Sequence, residues 1–164
     1  MISRKTIDKY LIKNQDYLKN KIRFFHNDLW SFNSRDLDFV IDLKIAENSV
    51  WGWAYGAWLT GYYPVVYGVS FFNIGRFEQL RKFFGFHKAP CLIINAGAYG
   101  YKNYGWEHSF MNFEDEKLMT SIGFKVIYVK NIQNYDIRST KQLFEKYLDY
   151  NSENKNIYIK LYKD

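Results

Sequence analysis

The sequence predicts an α/β domain, a three-layer sandwich in which helices flank a mostly parallel central sheet. Strand-like and helix-like stretches alternate from one end of the chain to the other. No internal repeat, low-complexity tract or linker interrupts them, and both prolines stand at strand starts. The 164 residues are 48% hydrophobic and 21% aromatic, which is ample material for one core. We therefore expect residues 1–164 to form a single domain.

The elements follow from the spacing of apolar residues and from turn signals. Strands are predicted at about 21–29, 36–46, 64–72, 89–97, 125–129 and 156–162. Helices are predicted over about 6–20, 49–59, 75–86 and 114–122, and from Ser139, where Gln142 completes a capping box. These elements place a helix after most strands, as a parallel sheet requires.

The helix predicted at 49–59 has an unusual composition. Gly61 lies just past its end, where a left-handed cap is common. Gly52 and Gly56 share one face, and each lowers helix propensity by roughly 1 kcal/mol relative to Ala. We interpret them as positions where another backbone approaches closely.

Charge and cysteine content exclude several functional classes. The net charge is +6, of which +5 lies in the first 23 residues, without the interleaved aromatic residues typical of a nucleic-acid site. The only cysteine, Cys91, leaves no disulfide framework and favours a reducing cytoplasm. No apolar stretch reaches membrane-spanning length. The aromatic, nearly uncharged middle of the chain is predicted to be covered in part by a second chain.

Chemistry is expected in the loops that follow the carboxyl ends of the strands, where parallel sheets place their sites. Four segments occupy such positions: HNDLWSF, AEN, SFFNIGRF and YGYKNYGWEHSF. The AEN segment contains Glu47, which stands directly before the helix at 49–59.

These segments resemble a known family. Four motifs carry the resemblance: Ala46-Glu47, Gly61-Tyr-Tyr-Pro64, Ser70-Phe71 and Gly105-Trp-Glu-His108. Their order and spacing are similar to those in the pyrimidine-binding domain of transketolase-group thiamine-diphosphate enzymes. Relatives include deoxyxylulose-phosphate synthases and the β subunits of 2-oxo-acid dehydrogenases. The resemblance spans almost the whole chain and implies a transketolase-like transfer of a two-carbon ketol unit between sugars.

The resemblance implies that Glu47 is the acid that activates thiamine diphosphate. In that family a carboxyl group against N1′ of the aminopyrimidine shares a proton with it, so that N4′ can accept the proton of C2. A protonated acid suits this role, and we expect Trp51, Trp53 and Tyr55 to desolvate Glu47 enough to outweigh the helix N-terminus. Without the resemblance, Glu47 would read equally well as an acid at a helix start.

Further roles are implied residue by residue. Phe71, and Phe77 as a second wall, match the aromatic rings that stack on the aminopyrimidine.

Asp28 matches an acid near the cofactor, and His108 matches the loop histidine near the reacting carbon. His26 is a weaker substrate candidate. Tyr104 stands where transketolases have an aspartate that recognises a substrate hydroxyl, which places the sugar preference in question. Cys91 is read as core and His87 as surface.

The resemblance also implies a partner. The family's Gly-Asp-Gly…Asn signature for Mg²⁺ and the diphosphate does not occur in this sequence, and no plausible set of Mg²⁺ ligands is seen. The chain is therefore expected to lack metal ligands and to work with a subunit that carries the diphosphate-binding domain, as a heterotetramer.

Three alternatives stay open. The chain could serve a thiamine-dependent 2-oxo-acid decarboxylase or synthase, which uses the same cofactor chemistry. It could be a non-catalytic α/β assembly module, although such a module has no need of a desolvated acid. A flavodoxin-like or Rossmann-like nucleotide module is disfavoured because GAYG is too short for a dinucleotide fingerprint.

Overall fold

The chain folds as an α/β sandwich. The structure is a computed structural model, and it describes residues 4–27, 33–69, 75–96, 114–129, 141–142, 144–146 and 156–161. Six strands form one sheet in the order β2-β1-β3-β4-β6-β5, and every pair of neighbours is parallel. The strands are β1 (Ile22–His26), β2 (Val40–Asp42), β3 (Tyr63–Val69), β4 (Cys91–Ala96), β5 (Lys125–Val129) and β6 (Asn156–Leu161). The predicted fold class is confirmed.

Helices cover both faces of this sheet. The helices are α1 (Arg4–Lys13), α2 (Gln15–Leu18), α3 (Val50–Leu59), α4 (Phe77–Leu80), which continues as a π-helical segment (Arg81–Phe86), and α5 (Glu114–Ser121). Residues 141–142 and 144–146 are also helical, in agreement with the helix predicted from Ser139, which itself lies outside the described residues. Among the described helices, none is long and apolar enough to cross a membrane.

The core is divided by the sheet into two layers. One layer packs α1, α2 and Phe144 against one face of β1, β3, β4 and β6. The other packs α3, α4, the π-helical segment and α5 against the opposite face. In this second layer Trp51 is fully buried and meets Phe84 edge to face, with ring centroids 5.9 Å apart. Cys91 is buried in the same layer, as predicted.

Two elements differ from the predicted ones. The helix expected over 6–20 breaks at Asn14, which has a non-helical backbone conformation (φ −113°, ψ 20°) and whose side-chain amide donates to the carbonyl of Tyr10 at 2.8 Å. The second strand is only three residues long, because Lys44 adopts a left-handed φ of 55° that ends the extended conformation.

The end of α3 follows the prediction. Gly61 has a φ of +90°, and its amide donates to the carbonyl of Trp58 at 2.9 Å. The amide of Tyr62 donates to the carbonyl of Ala57 at 2.9 Å, which closes the helix before β3 begins.

Candidate active site

The strand order has a topological switch point between β1 and β3. The chain passes from β1 outward to β2 and then returns to the other side of β1 to form β3. In open α/β sheets, ligands bind beyond the carboxyl ends of the strands at such a switch point. Because β2 also ends at this edge, the segment that follows β2 and contains Glu47 lies at the same end of the sheet.

Glu47 occupies the turn between β2 and α3. The turn runs over residues 47–49 and leads directly into α3, so the carboxylate lies at the amino end of that helix. Glu47 is half-buried in this chain, whereas Trp51 points into the core and Trp53 is 57% exposed. Tyr55, the third ring expected to shield Glu47, stacks on Phe83 with ring centroids 4.7 Å apart.

A hydrogen bond joins the Glu47 segment to the start of α4. The Nε of Arg76 donates to the Oδ1 of Asn48. Asn48 directly follows Glu47, and Arg76 directly precedes Phe77, the first residue of α4. The bond therefore links the residue that follows the predicted acid to the residue that precedes one of the predicted aromatic walls. Phe77 is partly buried against the layer that contains α3.

His26 closes β1 and is buried, with 1% exposure. It pairs in register with Asp42, the last residue of β2, and its Nδ1 lies 3.6 Å from the Oδ1 of Asp42. The amide of Leu43 also donates to the carbonyl of His26 at 2.9 Å. The predicted substrate candidate is thus packed between strand ends beside a carboxylate.

Asp42 is held as an anion by its surroundings. Lys44 contributes its Nζ at 2.5 Å from Oδ2 and its backbone amide at 2.9 Å from Oδ1. Burial works to raise the pKa of Asp42, but the two Lys44 hydrogen bonds and the charges of His26 and Lys44 outweigh it, so the pKa lies below its usual value. Sequence reasoning overlooked Asp42 and Lys44, although the alignment of two strand ends could have indicated the contact with His26.

A second polar cluster lies near the carboxyl end of β6, and it was also overlooked. Lys160 is fully buried, and its Nζ lies 2.7 Å from the Oδ1 of Asp115 in the first turn of α5. The hydroxyl of Tyr158 donates to the other carboxylate oxygen of Asp115 at 2.9 Å. Lys160 is in register with Asn95, which is also fully buried. This polar pair follows the apolar pair of Ile93 and Tyr158 along the same face of β4 and β6.

The remaining predicted site residues lie outside the described residues: Asp28, Phe71, Tyr104 and His108. His87 is exposed, in agreement with its prediction as a surface residue. Within the described residues, no group of three or more His, Cys, Asp or Glu side chains could hold a metal ion.

Comparison with solved structures gives the class of fold. The chain superposes on a split-gene transketolase, solved as an inactive β4 tetramer, with a TM-score of 0.69 and 22% sequence identity. The match covers 96% of this chain and 50% of that chain, so this chain spans half the length of the transketolase polypeptide. No family model matches the sequence, and no curated protein matches it. The likeness at this identity establishes a shared fold.

Proposed function

We propose that this chain is a subunit of a split transketolase-like enzyme and that it supplies Glu47 to the aminopyrimidine of thiamine diphosphate. The observation that carries this proposal is the position of Glu47. The side chain lies at the switch-point edge of the sheet, at the start of α3, in a chain whose fold matches half of a split-gene transketolase. A carboxyl group at the start of α3 can contact a cofactor that binds beyond the carboxyl ends of the strands.

The residues at this edge fit the pyrimidine half of the cofactor. Glu47 offers a half-buried carboxyl group, and Phe77 offers a partly buried ring. The residues next to them in the sequence, Asn48 and Arg76, are hydrogen-bonded to each other. Phe71, Asp28 and His108 would complete the site as a second ring, a nearby acid and a proton relay. When bound, thiamine diphosphate supplies the reactive carbon to which the ketol unit attaches. This chain's contribution is to hold a proton at Glu47 and to position the pyrimidine ring.

The diphosphate and its Mg²⁺ are proposed to be held by a partner subunit. The described residues provide no cluster of metal ligands, and the sequence has no Gly-Asp-Gly signature. The split-gene transketolase that shares this fold was solved as an inactive β4 tetramer, which supports the view that such a chain needs its partner. The working form would be a heterotetramer with two cofactor sites.

Cofactor titration tests this proposal. This chain, a candidate diphosphate-binding subunit, and their mixture are each titrated with thiamine diphosphate and Mg²⁺ in a calorimeter. We expect heat of binding to appear at saturating stoichiometry only in the mixture, together with ketol transfer from a ketose to an aldose. Tight binding by this chain alone would contradict the split site.

Glu47→Gln separates assembly from chemistry. The amide keeps the shape of the side chain but cannot share a proton, so the mixture should assemble and bind the cofactor while ketol transfer falls by about 10²–10⁴-fold. Glu78→Gln is the matched control, because Glu78 is an exposed acid on the neighbouring helix α4. An unchanged rate in Glu47→Gln would remove the proposed role.

A further inference from the structure

Glu47 and Arg76 are the charged residues that flank a long uncharged stretch of the chain. Residues 48–75 between them contain no Asp, Glu, Lys or Arg. A side-chain bond joins the two ends of this stretch, because the Nε of Arg76 donates to the Oδ1 of Asn48, the residue after Glu47. The segment that contains the candidate acid is therefore tied to the first charged residue that follows it in the sequence.

Hydrophobic packing joins the same two segments. Val50, the first residue of α3, and Leu80, the last residue of α4, are fully buried in one cluster. Trp51 meets Phe84 of the π-helical segment edge to face, with ring centroids 5.9 Å apart. The start of α3 is therefore packed against the helical segment that Arg76 precedes.

Arg76 is anchored by its own backbone. Its carbonyl accepts from the amides of Gln79 and Leu80, at 3.0 and 3.4 Å, as the cap residue of α4. Glu78 is the nearest acid on this helix, and both of its carboxylate oxygens are bonded to Arg81, at 2.9 and 3.1 Å. The guanidinium of Arg76 is thus bonded to Asn48 and not to the neighbouring acid of its own helix.

The turn that contains Glu47 is attached to α3 through its backbone. The carbonyl of Ala46 accepts from the amides of Ser49 and Val50, at 2.9 and 3.3 Å. These bonds close the turn around Glu47 and Asn48. The Asn48 side chain adds a second attachment, to a residue that belongs to a different helix.

We propose that Arg76 is a positioning residue for Glu47, which it holds in place through Asn48. This inference rests on the role proposed above for Glu47. A carboxyl group that shares a proton with a ring nitrogen must lie within hydrogen-bond distance of it, about 2.6–3.2 Å. A displacement of about 1 Å can slow such a step by about 10²-fold. A turn that is tied to both α3 and α4 keeps the carboxyl group within this narrow range.

The bond between Asn48 and Arg76 can be removed without unfolding the chain. Both residues are exposed, and exposed polar pairs add little to the free energy of unfolding. Asn48→Ala removes the acceptor, and Arg76→Met removes the donors while keeping an apolar stem of similar length. Both variants should therefore fold and should unfold at temperatures close to that of the wild type, which circular dichroism checks.

Nitrogen-15 relaxation of the full chain tests the attachment without cofactor or partner. In the wild type we expect the amides at positions 47 and 48 to have order parameters of about 0.85, the value typical of rigid backbone. Asn48→Ala and Arg76→Met should both lower these values, whereas the amides of residues 50–59 should not change. Arg81→Met removes an exposed arginine that is bonded to Glu78, so it is the matched control and should resemble the wild type. Equal order parameters at positions 47 and 48 in all four proteins would overturn the proposal.

Proton exchange at C2 of bound thiamine diphosphate, in the complex with the diphosphate-binding subunit, tests the effect on Glu47. At equal cofactor occupancy, Asn48→Ala and Arg76→Met should each slow exchange by about 10- to 100-fold. The double variant should be no slower than either single variant, because all three lose the same bond. Asn48→Asp keeps an acceptor oxygen for the guanidinium and should stay close to the wild-type rate.

Two results of the exchange measurement would overturn the positioning role. One is exchange in both single variants that is as fast as in Arg81→Met, and the other is a double variant whose loss is the product of the two single losses. A wild-type complex that does not exchange would instead contradict the proposed function of Glu47. The relaxation measurement would then still decide whether Arg76 holds the turn, so the two failures are distinguishable.

Discussion

The ion pair between Lys160 and Asp115 is the buried contact whose loss has the clearest predicted effect. Lys160 is fully buried and the side chain of Asp115 is 3% exposed, with 2.7 Å between Nζ and Oδ1. At an effective dielectric constant of about 20, Coulomb attraction at this distance is roughly 6 kcal/mol, and it is largely offset by the desolvation of both ions. In Asp115→Ala the ammonium group stays buried without its counter-ion. We expect the free energy of unfolding to fall by about 3–5 kcal/mol.

Urea denaturation at one fixed protein concentration measures this change. For a chain of this length, each kcal/mol corresponds to about 2–4 °C in Tm, so a thermal scan should show a loss of roughly 6–20 °C. The double variant Asp115→Ala with Lys160→Met removes the uncompensated charge and should recover much of the lost stability.

Glu145→Ala is a control at an exposed ion pair, 3.4 Å from Lys141, and should change stability by less than about 1 kcal/mol. If Asp115→Ala were as stable as this control, the buried pair would not have the role described.

The remaining predictions concern titration and reactivity. Asp42 has a lowered pKa in the folded state, so its contribution to stability is complete above the usual carboxyl pKa of about 4 and is lost as the pH falls through the lower folded value. Asp42→Asn should therefore be less stable than the wild type near neutral pH. The difference between their urea midpoints should shrink as the pH falls below about 4. A constant difference across that range would show that Asp42 is not stabilised as an anion. Burial raises the pKa of the Cys91 thiol well above its usual range, so a maleimide reagent should label Cys91 only after denaturant is added, and rapid labelling of the native chain would show that β4 is accessible.

Much of the fold was predictable because local signals and the overall architecture agree. Alternating strands and helices predicted the parallel sheet, and Gly61 predicted the end of α3 through its left-handed conformation. The break at Asn14 and the short β2 were not predicted. Both depend on single-residue conformations, the side-chain bond of Asn14 and the left-handed Lys44, which apolar periodicity does not encode.

The candidate site was predictable only where the residues involved are adjacent in the sequence. The position of Glu47 before α3 follows from the sequence, because the acid and the helix are adjacent. Contacts across strands do not: the approach of His26 to Asp42 depends on the register of β1 with β2. The pair of Lys160 and Asp115 joins residues 45 positions apart through the sheet. A lysine in a strand pattern normally indicates a solvent-facing position, so the burial of Lys160 could not be predicted from the pattern alone.

The rate of proton exchange at C2 of bound thiamine diphosphate tests the role of Glu47 most directly. Deuterium incorporation, followed by rapid acid quench and NMR, isolates cofactor activation from substrate binding and from later steps. In the complex of this chain with the diphosphate-binding subunit, we expect fast exchange with wild-type protein and exchange slower by about 10²–10⁴-fold with Glu47→Gln. Equal exchange rates in the two complexes, at equal cofactor occupancy, would contradict the account.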